Sequence, residues 1–268
     1  MQIVSQPTPE IFVEKNFSRG TMAVTHYHNA YELYCLFHGE REYFIGDSFY
    51  KIKERDVVLI PTDVLHRTAG KTSARMLVYF NWELLSRYVK PELLSVLKLG
   101  KPLVFRAGDD VAPMLLHDFE SLNSVYSLLS EGAGSEASFA GLLFKILFTI
   151  SHERNHYENL EYTDVRMEKI IRYVNENYAT VTGLEELASH FFISKYHFCR
   201  MFRKNLGVSV TAYLNTIRVR AATKLLMEGT LSLTDIATKC GFNSVSYFCK
   251  VFKSELGVSP SLYRKKTT

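Results

Sequence analysis

"LEELASHFFISKYHFCRMFRKNLGVSVTAY", residues 184–213, lies over "LTDIATKCGFNSVSYFCKVFKSELGVSPSLY", residues 233–263. One extra residue in the second copy's turn brings Leu184/Leu233, Ala188/Ala237, Phe198/Phe248, Phe202/Phe252, Leu206/Leu256, Gly207/Gly257, Ser209/Ser259 and Tyr213/Tyr263 into coincidence. Two copies are too few for a solenoid, so they are two copies of one small supersecondary unit. Each opens with a short helix behind a capping signal, Thr182-x-x-Glu185 in the first and Ser232-x-x-Asp235 in the second. A small alanine inside that helix (Ala188, Ala237) lets the next helix cross closely. A brief turn follows, where Gly241 can supply a left-handed backbone angle in the second copy. A longer helix then runs to a Leu-Gly stop. Short helix, turn, second helix is a helix-turn-helix, whose second member enters the DNA major groove.

The faces of the second helices agree. Phe198, Met201 and Phe202 fall on one helical stripe, as do Phe248, Val251 and Phe252, and both stripes should face a core. The opposite stripes are Tyr196, Cys199, Arg200 and Arg203, then Val245, Ser246, Cys249, Lys250 and Lys253. Cations with small or apolar neighbours suit groove reading, because arginine pairs with guanine and apolar atoms meet the thymine methyl. Between the copies, Ser209 to Met227 reads as one helix of about 28 Å. Successive major-groove faces on one side of B-DNA lie about 34 Å apart, so such a strut can hold two recognition helices in adjacent grooves. Charge points the same way. Residues 1–162 carry 16 Lys+Arg against 20 Asp+Glu, whereas residues 163–268 carry 16 against 8. A basic terminal third expects a polyanion partner.

The stretch "AATKLLMEGTLSLTDIATKCGFNSVSYFCKVFKSELGVSPSLYRK" closely resembles the signature of the AraC/XylS family of bacterial transcription regulators. The resemblance runs from Thr163 to the C-terminus. It implies base contacts from Tyr196, Cys199 and Arg200 in the first copy and from Val245, Ser246, Cys249 and Lys250 in the second, with activation the favoured mode. The second helix has few strong hydrogen-bonding side chains, so Lys250 and Lys253 should mainly hold phosphate. Ser259-Pro260 reads as an N-cap followed by proline at the first helical position, and Arg264 of "YRKK" is placed to meet phosphate.

The first half has a different rhythm. "REYFIG", "SFYKIK", "DVVLIP" and "ARMLVYF" are β-rich runs about ten residues apart, the spacing of an all-β sandwich or barrel. After Trp82, "APMLLHDFESLNSVYSLL" and "EASFAGLLFKILFTISHERN" show helical periodicity around the break "EGAGSE" and should form an antiparallel pair. The stripe Leu142, Leu143, Ile146, Leu147 and Ile150 exceeds what a small barrel obviously needs and is a candidate dimer surface, with core packing the alternative. The polar stretch "HERNHYENLEYTD" reads as the interdomain linker. No run reaches the roughly 18 apolar residues of a membrane helix. The start "MQIVSQPTPE" has no export signal, and Cys35, Cys199, Cys240 and Cys249 form no C-x-x-C pair, so a reduced cytoplasm is expected.

"THYHNAYELY", residues 25–34, sets His26, His28 and Glu32 at the spacing H-x-H-x-x-x-E. With Gly20 and Gly39 it fits the first motif of the cupin barrel, a fold that often precedes this DNA-binding domain. The second motif is degenerate: Pro61 and His66 stand in place, but Arg55 and Asp63 replace two glycines and Gly70 the final asparagine. His26, His28, Glu32 and His66 occupy the four positions that hold metal in cupins, and three imidazoles with a carboxylate could bind Mn, Fe, Ni or Zn. Three readings stay open: a small polar effector held by His26, His28, Glu32, Tyr34 and His66; a metal assisting that effector; or core histidines satisfied by one another. The first is favoured, with no resident metal.

The expectation is therefore an α+β multidomain chain. Residues 1–160 form a cupin-like β-barrel (about 1–80) with a helical pair (about 82–154). Residues 161–268 form an all-α double helix-turn-helix domain, with motifs at about 184–206 and 233–256 and a linker helix at about 209–227. Its function is sequence-specific regulation of transcription without catalysis, in response to a small polar metabolite such as a sugar. Its partners are an operator DNA, a second copy through the N-terminal domain, and RNA polymerase. The alternative is a metal-dependent cupin enzyme fused to a nucleic-acid-binding domain.

Overall fold

A computed structural model of the chain describes residues 4–6, 9–18, 24–70, 73–97, 99–153 and 165–267. The chain divides into two compact units, one built mainly from residues 6–163 and the other mainly from 164–268. Gly20 and nearly all of the expected linker, residues 154–164, lie outside the described residues.

The first unit carries two five-stranded sheets. One has the order β1 (Val4–Gln6), β3 (His26–His28), β8 (His66–Gly70), β5 (Glu40–Ile45), β6 (Ser48–Lys53). The other runs β10 (Leu103–Arg106), β7 (Asp56–Ile60), β4 (Tyr31–His38), β9 (Ser73–Phe80), β2 (Ile11–Ser18). Alternation along β4 sends Leu33 and Cys35 to one face and Tyr34 and Leu36 to the other. The first pair joins a core with Val57, Leu59, Val78 and the helices that follow. The second pair joins Tyr43, Ile52, Val58 and Leu77 between the sheets. Both faces of this sheet are covered, which explains why "DVVLI" is apolar throughout rather than alternating.

The helices on the outer face are α1 (Trp82–Tyr88), α2 (Pro91–Leu94), α3 (Ala112–Ser130) and α4 (Glu136–His152). Lys145 pairs with Asp118 at 2.7 Å, and Tyr126 packs on Phe139, so α3 and α4 run antiparallel as expected. The expected dimer stripe is a different matter. Leu143, Ile146, Leu147 and Ile150 are fully buried, and Leu142 packs partly buried against the same core. Their apolar surface is consumed by the double-faced sheet, and this stripe is not available to a second chain.

The degenerate second motif keeps its backbone. Arg55 and Asp63, which stand where glycines would, take φ of 72° and 60°. Their amides donate to the distant carbonyls of Leu36 (2.7 Å) and His28 (2.8 Å). A left-handed angle at a residue with a Cβ costs about 1 kcal/mol, which these long-range hydrogen bonds offset.

The second unit is helical: α5 (Val165–Asn177), α6 (Leu184–His190), α7 (Lys195–Leu206), α8 (Val210–Glu228), α9 (Leu233–Lys239), α10 (Val245–Leu256) and α11 (Pro260–Thr267). Ser194, Ser209, Ser232 and Ser244 each accept a backbone N–H at the head of α7, α8, α9 and α10. Gly207, Gly229 and Gly257 end α7, α8 and α10 in the left-handed conformation. The cap expected from Thr182 and Glu185 is not formed. Gly183 is the N-cap of α6, and Thr182 instead donates from its amide (2.7 Å) and hydroxyl (2.8 Å) to Glu186. A carboxylate one residue further on reaches both donors of Thr182 at once. Arg264, expected to meet phosphate, donates to the Leu231 carbonyl at 2.7 Å, so α11 is tied to the start of the second motif.

The repeat is visible in the packing. Phe202 meets Tyr213 edge-on at 5.5 Å and 72°, and Phe252 meets Tyr263 at 5.5 Å and 79°. In both copies an aromatic from the following helix closes the core behind the second helix of the motif.

Candidate functional site: recognition helices and barrel interior

Capping serines and left-handed glycines fix the length of α7 and α10, so the phase of each helix is set at both ends. Phe198 and Phe202 are buried in α7, and Phe248, Val251 and Phe252 in α10. That phase leaves Tyr196, Cys199, Arg200 and Arg203 exposed on α7, and Ser246, Lys250 and Lys253 exposed on α10. The Arg200 guanidinium lies 5.9 Å from the Tyr196 ring centroid, which holds the fork near the head of the helix. Val245 and Cys249 differ from expectation. They are half-buried and fold back against the second motif's core, as apolar side chains at the edge of a stripe do.

Two grooves flank the head of α8. One, of about 380 Å³, is lined by Tyr196, Cys199, Arg200, Arg203, Ser209 and Val210. The other, of about 650 Å³, lies between α8 and α10 and includes Thr211, Asn215, Tyr247, Lys250 and Ser254. Both border Ser209. Asn215 donates to the Tyr247 hydroxyl at 3.0 Å across the second groove. Asn215 and Thr211 escaped the sequence reading because it treated α8 only as a spacer, and Tyr247 because it was left off the exposed stripe of α10. The signal was the spacing of Thr211 and Asn215, four apart on one face of α8.

In the barrel, β3, β4 and β8 bring together His26, His28, Glu32 and His66, all buried. Glu32 Oε2 lies 3.1 Å from His28 Nε2 and 3.2 Å from His66 Nε2, and Tyr43 donates to Oε1 at 3.0 Å. Burial pushes the Glu32 carboxyl up, but the charge and hydrogen bonds of His66 and His28 outweigh it and hold the group well below the usual carboxylate range. Burial and the neighbouring Glu32 raise both Tyr43 and Tyr79, so these phenols stay protonated donors.

The ring orientations carry chemical information. His28 Nδ1 lies 2.9 Å from the Ala30 carbonyl and His66 Nδ1 2.8 Å from that of Val64. A carbonyl only accepts, so Nδ1 carries a proton in each ring and Nε2 faces Glu32. Each Nε2 contact is then completed by a second ring proton or by a cation between the groups. The ligand atoms of the four side chains lie within 4.8 Å of one another. This donor set, with Nδ1 anchored on carbonyls behind it, fits a divalent metal of the kind that cupins hold. Bound there, such an ion would polarise an oxygen of a ligand in the barrel.

Tyr34, placed with this set by the sequence reading, lies two positions along β4 from Glu32 and is fully buried. It stacks edge-on against Tyr43 at 5.3 Å.

Comparison with known proteins matches both units. Residues 12–139 fit the AraC-like ligand binding domain and residues 187–266 a helix-turn-helix domain. The chain is an AraC-family transcriptional regulator. It is 28% identical over 251 residues to the HTH-type transcriptional regulator YfiF of Bacillus subtilis, covering 89% of this chain and 78% of that one. It is 37% identical over 103 residues to the regulatory protein PocR of Salmonella typhimurium, covering 38% of this chain and 34% of PocR. It is 29% identical over 106 residues to the transcriptional activator RhaS of Escherichia coli, covering 40% of this chain and 38% of RhaS. This AraC-family chain is thus a DNA-binding regulator with a ligand-binding barrel, and not an enzyme. Among the described residues no helix is long and apolar enough to cross a membrane.

Proposed function

We propose that the regulator activates transcription in response to a small polar metabolite of the carbohydrate type, held inside the barrel. The observation that carries this reading is the polarity of the barrel interior, where Glu32, His28, His66 and Tyr43 form one buried hydrogen-bonded set. Small barrels that only need to be stable fill this space with apolar side chains. His26, His28, Glu32, Tyr34 and His66 would bind the effector. Tyr196, Cys199, Arg200 and Arg203 of α7, with Ser246, Lys250 and Lys253 of α10, would meet operator DNA. An activating mode is supported by the likeness to RhaS, a transcriptional activator. The regulator would work in the cytoplasm, in keeping with four free cysteines, and would contact RNA polymerase. It would pair with a second copy through its first unit, on a face other than the buried stripe of α4.

The test is a thermal-shift screen of the full chain against sugars and sugar acids. A ligand at about 100 times its dissociation constant adds about 2.7 kcal/mol to the unit that binds it. The reading predicts a hit that is lost in Tyr43→Phe and that changes operator affinity. A panel of hits that leaves operator affinity unchanged would contradict it.

A second reading is favoured by one specific observation, the locked Nδ1 atoms that turn the histidine Nε2 atoms toward Glu32. In this reading a divalent metal joins the effector in the barrel. Elemental analysis of chain purified without added metal separates the two. Well under one equivalent supports the metal-free sensor, and one equivalent lost in His28→Ala supports the metal.

A further inference from the structure

The barrel interior has a second polar end, and its chemistry differs from that of the histidine end. Strand register places Glu32, Tyr34 and Leu36 of β4 opposite Tyr79, Leu77 and Arg75 of β9. It places Ile45, Tyr43 and Arg41 of β5 opposite His66, Thr68 and Gly70 of β8. Residues two apart on a strand share a face, so the interior runs from a carboxylate with histidines at one end to two arginines at the other.

The arginine end is built but not closed. Arg41 is 1% exposed and donates from Nη2 to the Thr68 hydroxyl at 2.8 Å. The Arg75 guanidinium lies 5.8 Å from the Tyr34 ring centroid. Its nearest carboxylate, Glu14, is loosely paired at 3.8 Å and partly solvated. Burial lowers the Arg41 pKa, and the Arg75 charge lowers it further, so the two guanidiniums sit close enough to repel. Tyr34 and Ser73 are both fully buried neighbours, yet neither hydroxyl completes a hydrogen bond of normal geometry, and Arg75 Nε is likewise unsatisfied. An unsatisfied buried donor costs about 1–3 kcal/mol, and three of them beside two like charges call for a partner that supplies negative charge and several acceptors.

We propose that this end of the barrel is an anion subsite, so that the effector is an acid whose carboxylate is received by Arg75 Nε, the Tyr34 and Ser73 hydroxyls, and the charge of Arg41. The subsite rests on the effector reading above and narrows it. A planar carboxylate offers two acceptors in the geometry a guanidinium edge prefers. The polar body of the same molecule would extend toward Tyr43 and Glu32. A phosphate ester shares the oxyanion chemistry, and the test separates the two.

The experiment uses the full chain and measures its thermal midpoint at constant ionic strength. The first arm needs no ligand. Arg75→Met should hold or raise the midpoint, because it removes a poorly paired charge. A clear fall would show a structural role and overturn the proposal. The second arm titrates sodium acetate against acetamide, its neutral counterpart, and against inorganic phosphate. Acetate should raise the wild-type midpoint by a few degrees, acetamide should not, and the gain should vanish in Arg75→Met. A gain with phosphate alone would overturn the carboxylate assignment. Equal effects of acetate and acetamide, or none from any probe, would overturn the anion subsite. The third arm compares glucuronate with glucose. Equal stabilisation by both, lost in Tyr43→Phe, would sink the anion subsite while leaving the effector reading standing.

Discussion

Arg218, midway along α8, donates from Nη2 to the Val181 carbonyl at 2.7 Å and from Nε to the Tyr178 carbonyl at 2.9 Å. The side chain is buried, and burial lowers its pKa from the ordinary arginine value. One guanidinium therefore ties the linker helix to the segment between α5 and α6, before the first recognition helix begins. Hydrogen bonds from a charged donor contribute about 1.5–3 kcal/mol each. Arg218→Ala should cost about 3 kcal/mol after partial repair by water, read from the far-UV helical signal in a denaturant titration. Arg218→Lys should recover only part, because an ammonium cannot reproduce the fork. A loss below about 0.5 kcal/mol would mean that the strut is not held this way.

The two turns make a paired prediction. Gly241 has φ of 81°, and a Cβ added there would lie 2.5 Å from the Ala179 carbonyl oxygen. In the first copy the same turn position is Phe192, with φ of 54° and 95% exposure. Gly241→Ala combines backbone strain with a clash and should destabilise by about 2 kcal/mol or more. Phe192→Gly relieves strain and should stabilise by about 1 kcal/mol. Opposite signs in one thermal-melt series would bear this out.

On the DNA face, Arg200 and Lys253 should behave differently. Arg200 is exposed midway along α7 with its fork braced over Tyr196, a placement suited to a guanine edge. Arg200→Ala should cost about 1–3 kcal/mol on operator and relax preference at one base pair. Lys253→Ala, at the far end of α10, should weaken all sequences alike and shrink the salt slope by about one contact. Titrations of operator and scrambled DNA at two salt concentrations distinguish these outcomes. Equal weakening of both DNAs by Arg200→Ala would make it a backbone contact.

Sequence and structure agree where a residue's role is local. The serine caps, the left-handed glycines and the phenylalanine stripes fix α7 and α10 without knowledge of their surroundings, so the exposed face of α7 was legible, and that of α10 apart from Val245 and Cys249. The same holds for His26, His28 and Glu32, because H-x-H-x-x-x-E spans one short turn between β3 and β4, which lead into the two facing sheets. Reading failed where the answer depended on a distant element. The stripe of α4 looked surplus because the sequence does not reveal that the sheet beneath it is apolar on both faces. Arg264 looked free because Leu231 is 33 residues away. Arg41, Arg75 and Ser73 carry no motif, and only strand register brings them to the Tyr34 end of the barrel.

The central claim is that a single chain presents two recognition helices to adjacent major grooves. Selection of bound DNA from a randomised duplex library by the full chain tests it most directly. The account predicts an enriched site with two conserved blocks whose centres lie about 10–11 base pairs apart, one helical turn on the same face. Arg200→Ala should relax preference at one base pair, and in one block only. Recovery of a single uninterrupted block, or blocks at spacings that leave opposite faces of the helix, would contradict the account.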